Sequence, residues 1–343
     1  MHMADALLSP AVGVAMCAAS AGALAYSVAK TTKNELSEKK LPVMAVAGAF
    51  VFAAQMINFT IPGTGSSGHI GGGVLLAALL GGHPALLTLS AVLLIQCLFF
   101  ADGGLLALGC NIFNMGVIPC LVIYPLLYRP LIKKGLNPKR ITLASILSVV
   151  IGLQLGAFGV VLETMASGVA ALPFSTFALL MQPIHLAIGL VEGMVTAAVL
   201  CFVYKMRPEI LESADQGTAL GSGISIKKPV VVLAAATLIA GGAVSLLASS
   251  YPDGLEWSME KTAGTAELEA SGGIFDAAAS FQERTAFMPD YDYAAAEEDG
   301  SASGTTVAGV AGSVMTLALA GAAGFIISKF KKKRHAAQEQ KTA

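Results

Sequence analysis

Apolar runs of membrane-spanning length recur along most of this 343-residue chain, and charge is confined to islands between them. The runs are too numerous for one soluble core. In hydrocarbon every backbone N–H and C=O must be satisfied internally, and a barrel would require alternating segments instead, so the spanning element is the helix. Hydrophobic residues make up 55% of the sequence and charged residues 13%. The chain therefore reads as an all-α polytopic membrane protein. Cys17, Cys97, Cys110, Cys120 and Cys201 lie in apolar stretches without a C-x-x-C pair, which argues for small buried hydrophobes over disulfides or a thiolate metal site.

Basic islands set the orientation through the positive-inside rule. Lys30, Lys33, Lys39 and Lys40 follow a first span over 6–29, which places that loop in the cytoplasm and Met1 outside. The first run lacks a basic leader and is longer than a removable signal, so it is expected to stay in place. Spans over 42–60, 72–80, 84–101, 105–128, 141–163 and 183–204 follow, bringing Arg129, Lys133, Lys134, Lys139 and Arg140, then Lys205 and Arg207, to the inside. Two more, over 229–249 and 306–330, end in Lys331, Lys332, Lys333 and Arg334, which makes nine transmembrane helices. The expected organisation is a seven-helix unit over 1–204, a polar cytoplasmic linker over 205–228, a two-helix module over 229–330 and a basic cytoplasmic tail over 331–343. Residues 250–305 form an outside loop with 12 Asp or Glu against 2 Lys or Arg, a net charge of −10. Such a loop concentrates cations near an access point, helps to open a site mechanically, or is simply solvated chain.

A His at position two gives the amino terminus a chemistry of its own. The Met1 amine, the deprotonated His2 backbone nitrogen and the His2 Nδ1 close a five- and then a six-membered ring, leaving one corner of a square plane empty. Square-planar nitrogen ligation favours Ni(II) or Cu(II). A second imidazole on the same expected face is His69, in the loop Gly63-Thr64-Gly65-Ser66-Ser67-Gly68-His69-Ile70-Gly71-Gly72-Gly73, whose glycines let the backbone approach a bound group. Gln96, Asp102, Asn111 and Asn114 are polar at or near membrane depth, where unpaired groups are expensive. Gln96, Asp102 and Asn111 are expected to orient the His69 ring, while Gln96 and Asn114 also suit hydrogen bonding between helices.

His185 and Glu192, seven residues apart on one helix face, are expected to pair, with a proton relay that includes Glu163 as the alternative. Ala11, Ala15, Ala19 and Ala23 form a small-residue stripe on the first span, suited to close docking within the bundle or against a partner subunit. No G-x-x-x-x-G-K-S/T loop is present, so energy must come from a partner or an ion gradient. No organic cofactor and no nucleic-acid partner is expected.

Met1-His2-Met3-Ala4-Asp5-Ala6-Leu7-Leu8-Ser9-Pro10, the loop carrying His69, Ala101-Asp102-Gly103-Gly104-Leu105 and Gly109-Cys110-Asn111-Ile112-Phe113-Asn114-Met115-Gly116 together resemble the CbiM/NikM family, the substrate-capture subunits of energy-coupling-factor transporters for cobalt and nickel. The resemblance covers roughly 1–204. It implies a seven-helix unit whose amino terminus tucks inward and binds metal through Met1, His2 and His69. Asp102 departs from the family, which more often has His before the Gly-Gly pair. Tyr251-Pro252-Asp253-Gly254-Leu255-Glu256, just after an outward span, and Met288-Pro289-Asp290-Tyr291 resemble the NikN/CbiN-type accessory module with its PDGLE motif.

What the resemblance implies is a multi-pass subunit of the plasma (inner) membrane, not an enzyme, that captures Ni(II) or Co(II) outside. A transmembrane coupling subunit and two cytoplasmic ATPases would drive its delivery inward. The same nitrogens serve both metals, so selection rests on geometry or availability. Two alternatives stay open: a self-sufficient proton-coupled secondary transporter using His185, Glu192 and Glu163, and a membrane sensor or assembly factor that transports nothing.

Overall fold

A computed structural model describes residues 1–31, 39–221, 223–292 and 303–342, with side chains described as far as residue 329. Lys33, the 293–302 part of the acidic loop and the side chains of the basic tail lie outside the described residues. Among the described residues, each of the nine apolar segments carries helix, but six helices are long and apolar enough to cross a membrane: Pro10–Lys30, Gly82–Phe99, Leu108–Ile132, Pro138–Ala166, Phe174–Met206 and Gly304–Lys329. The remaining three, α2 (Lys40–Gln55), α3 (Gly73–Leu80) and α10 (Lys227–Gly242), are shorter. At 1.5 Å per residue α3 rises about 12 Å, well under half of a hydrocarbon layer about 30 Å thick. The nine expected crossings thus become six candidate spans and three shorter helices. Gly81, at φ 89°, ends α3 and turns the chain directly into α4 (Gly82–Phe99).

Local chemistry explains where the long helices start. Ser9 accepts the Val12 N–H and Pro10 fills the first turn of α1 (Pro10–Lys30), while Asn137 and Pro138 do the same for α7 (Pro138–Ala166). The span between α4 and α7 begins as α5 (Leu108–Ile112) and ends as α6 (Arg129–Ile132). Between them Phe113–Tyr128 is π-helical and carries Pro119 and Pro125, each of which removes a ladder donor.

The all-α reading needs one correction. Phe59–Ile61 and Ser66–Gly68 form an antiparallel hairpin, β1 and β2, with Phe59 opposite Gly68, Thr60 opposite Ser67 and Ile61 opposite Ser66. Pro62-Gly63-Thr64-Gly65 makes the turn because both glycines supply positive φ, 78° and 76°. The hairpin hands the chain to His69 in a fixed direction.

The segment expected as linker contains α9 (Pro208–Gln216), which buries Ile210, Leu211 and Ala214 and packs on α3 and α8 (Phe174–Met206). α10 and α13 (Ser303–Thr342) pack on α2, and α13 also reaches α4. The chain between them folds as α11 (Gly254–Ala263), α12 (Ile274–Thr285) and a short turn at Pro289–Tyr291.

α7 and α8 make the most extensive helix pair, and their seam closes at Gly193, where a Cβ would stand 2.8 Å from Ile146 Cα. Backbone cannot yield as a side-chain tip does. Gly193→Val is therefore expected to destabilise the bundle by about 1–3 kcal/mol, seen as a lowered melting temperature of the detergent-purified chain.

Candidate metal centre

The amino terminus is folded into the bundle. Met1, Met3 and Leu7 are buried, and the chain between them is clamped from one side. Met3 donates its N–H to Asn111 Oδ1 at 2.8 Å, and its carbonyl accepts from Asn111 Nδ2 at 3.2 Å and from the Gly104 N–H at 2.9 Å. Asp5 accepts the Ala107 N–H at 2.9 Å. This clamp delivers the Met1 amine to 3.1 Å from His69 Nε2 and 2.5 Å from Asp253 Oδ2. The His2 and His69 rings stack, with centroids 5.3 Å apart and planes 17° from parallel.

His69 is held in one tautomer. Its Nδ1–H donates to the Ile70 carbonyl at 3.0 Å, which leaves the Nε2 lone pair aimed at Met1. The loop beneath is pinned from two sides: Glu192 accepts the Gly71 and Gly72 N–H groups at 2.9 Å each, and Gln55 donates to the Gly71 carbonyl at 3.0 Å. Ser67 ties the hairpin to the far module, its N–H bonding the Pro252 carbonyl at 2.8 Å and its hydroxyl the Tyr251 carbonyl at 2.7 Å.

His2 lies between two acceptors. Gln96 Oε1 is 3.2 Å from its Nε2 and Asp102 Oδ1 is 3.2 Å from its Nδ1. Gln96 in turn donates to Gln55 Oε1 at 2.8 Å, so two glutamines link the His2 ring to the His69 loop. Tyr291 donates to Asp102 Oδ2 and orients that carboxylate from the far side. Burial, reinforced by the Met1 amine charge, pushes both His2 and His69 down from 6.5 to about 3, so both rings are neutral near pH 7 and available as ligands. Burial also raises Asp102. Asp253 goes the other way: burial alone would raise it, but the adjacent amine and His69 hold it well below the usual carboxylate range.

These contacts revise several sequence expectations. Gln96, Asp102 and Asn111 do not bond the His69 ring: Gln96 and Asp102 face His2, and Asn111 holds Met3, because the folded-back terminus comes between them and the loop. His185 and Glu192 do not pair. His185 Nδ1 bonds the Met181 carbonyl at 2.8 Å, Glu192 bonds the glycine loop, and Glu163 accepts from Asn114 at 2.8 Å, so no hydrogen bond among the described residues links the three into a relay. On α1, Ala11, Ala15 and Ala19 are exposed and Ala23 is half-buried, with Gly13, Ser20 and Ser27 facing the bundle instead.

Sequence reasoning missed Gln55, Asp253 and Tyr291. Asp253 was within reach, since Asp253 and Glu256 form a capping box at the start of α11. One Asp253 oxygen accepts the Leu255 and Glu256 N–H groups, and the other meets the Met1 amine. No group of three or more His, Cys, Asp or Glu among the described residues is arranged to hold a metal.

Two outcomes follow for the closed terminus. Asn111→Ala removes both side-chain bonds to Met3, and nickel affinity measured by calorimetry is expected to fall about 10- to 100-fold. Because His2 and His69 sit below their free value of 6.5, the closure is at full strength above that pH and weakens steadily as pH falls toward 3. The hydrogen-exchange protection factors of the Met3 and Gly104 N–H groups, taken against the intrinsic rate at each pH, should fall across that window.

Residues 2–210 match the family described as the cobalt uptake substrate-specific transmembrane region, and residues 227–329 match the PDGLE domain. A relative in Archaeoglobus fulgidus, named as a fused nickel transport protein NikMN, is 30% identical over 97% of this chain and 99% of its own length. The fused nickel transport protein NikMN of Rhodobacter capsulatus is 32% identical over 80% of this chain and 81% of its own. A crystal structure titled as a transition metal transporter superposes with a TM-score of 0.53 at 32% identity, covering 61% of this chain and 95% of that one. These relatives are metal transport proteins rather than enzymes. The chain thus belongs to the CbiM family of nickel and cobalt transport proteins, as a multi-pass membrane member that also carries a PDGLE domain.

Proposed function

We propose that this chain is the substrate-capture subunit of an energy-coupling-factor importer, in which Met1, His2 and His69 take up Ni(II) or Co(II) at the outer face. The supporting observation is the approach of the Met1 amine to within 3.1 Å of His69 Nε2. With metal–nitrogen bonds of about 2 Å, neighbouring corners of a square plane lie about 2.8 Å apart, so the two nitrogens already stand near ligand spacing. The Met1 amine, the His2 backbone nitrogen and His2 Nδ1 supply the other three corners.

The surroundings suit both states of such a site. With Nδ1 protonated, His2 donates to Asp102; with Nε2 protonated it donates to Gln96 and frees Nδ1 for the ion. Charge balances as well. Loading removes one proton from the ammonium and one from the His2 amide and adds two positive charges, so Asp253 faces the same net charge before and after.

Delivery inward falls to a transmembrane coupling subunit and two cytoplasmic ATPases, with the exposed Ala11, Ala15 and Ala19 stripe as a docking face. The basic islands put the amino terminus outside and the carboxy terminus in the cytoplasm. Residues 1–204 form the capture unit and 229–330 the accessory module. The fused nickel names of the relatives favour nickel as the cargo.

One added residue before Met1 turns the amine into an amide and is expected to weaken nickel binding at least about a hundredfold. Unchanged affinity would remove the terminal chelate. Calorimetry in buffers of different ionisation enthalpy should report about two protons released per Ni(II) bound near neutral pH. Uptake by the chain alone in liposomes under a proton gradient would favour a secondary transporter instead.

A further inference from the structure

We infer that the cavity bordered by Met1 and His69 holds a second, transient station for the captured ion, with His185 Nε2 as its ligand. The inference rests on the capture reading above. The cavity, about 40 Å³, is bounded by Met1, His69, Met115, His185, Glu192 and Gly254. One water needs about 10–15 Å³ on this measure, so an ion with a partial water shell fits.

His185 is 1% exposed, and its Nδ1–H is committed to the Met181 carbonyl, which leaves Nε2 with the lone pair. That nitrogen has no hydrogen-bond partner. A bare acceptor in a buried apolar wall costs free energy until a donor or a cation meets it. Neutral imidazole is a good ligand for the divalent ions that the upper site selects. One imidazole at the second station against four nitrogens at the first makes it the weaker of the two, as a station for an ion in transit must be.

Position supports the assignment. His69 and His185 border the same cavity, so an ion that leaves the upper site through it meets His185. Glu192, seven residues further along α8 and about 10 Å of helix rise away, is too far to share one shell with His185 and borders the cavity beside the glycine loop. Its oxygens use one lone pair each on the glycine loop and retain others.

The PDGLE turn is seated on this station. A Cβ on Gly254 would come within 3.0 Å of His185 Cε1 and 2.9 Å of Ile188 Cδ1, so the turn lies close against the ring while Asp253 holds Met1. The Met1 amine and the His185 ring are therefore covered by adjacent residues of one turn.

The test titrates the full-length chain with Co(II) alone and reads its visible ligand-field bands. With one residue added before Met1, the tight site should vanish and a single saturable site, at least about tenfold weaker, should remain; adding His185→Ala or His185→Gln should abolish it. On the native terminus, both His185 variants should keep one tightly bound Co(II), which also reports correct folding, while metal delivery by the assembled transporter slows about tenfold. Absence of the weak site in the extended chain, or its survival in both His185 variants, overturns the second station. Loss of tight binding in both variants on the native terminus also overturns it, since His185 would then serve the upper site. Tight binding that persists in the extended chain contradicts the capture reading instead.

Discussion

A positively charged amine buried in a helical bundle is expensive unless an acceptor meets it, and most of the architecture around Met1 answers that requirement. The acceptors are His69 Nε2, from a loop 68 residues along the chain, and Asp253, from the PDGLE turn 252 residues along. Satisfying one nitrogen therefore brings the two family regions together. The Ser67 bonds to Tyr251 and Pro252, and the Tyr291 bond to Asp102, reinforce the same junction. The acidic segment is in this sense part of the site, covering the amine with a carboxylate that is already oriented as the cap of α11.

Each group at the centre has its protons assigned by a neighbour. Ile70 fixes the His69 tautomer, while Asp102 and Gln96 leave His2 a choice of two. Rigidity is thus placed on the ring that would complete the square plane, and adaptability on the ring that must shed its Nδ1 proton. The Gln96–Gln55–Gly71 series joins the two, so a change in the His2 tautomer is felt at the loop that carries His69. Glu192, from α8, holds that loop by the Gly71 and Gly72 N–H groups at the start of α3, against the partial positive charge of the helix end.

How much of this was legible in the sequence depends on the range of the interaction involved. Apolar runs located the nine apolar helices but not α9, α11 and α12 in the polar segments, since hydropathy is a local property, and the pairing of His2 with His69 followed from chelate chemistry and a shared membrane face. Depth was not legible. The eight apolar residues of α3 read as a crossing because composition alone does not separate a short helix buried on all sides from a spanning one. The hairpin was hidden in a loop whose glycines read as flexible. Hydrogen-bond partners were assigned to His69 in place of His2 and Met3, because the folded-back terminus occupies the space between. Asp253 and Tyr291 stood in quoted motifs, but their partners lie more than 180 residues away, and no local pattern carries that distance.

X-ray absorption at the nickel edge of the loaded, full-length chain addresses the central claim most directly. The account predicts a planar shell of four nitrogens at about 1.9–2.1 Å, with multiple scattering from two imidazoles. A six-coordinate, oxygen-rich shell without imidazole scattering would contradict it, and would move the ion from the Met1 chelate to the carboxylates of the PDGLE module.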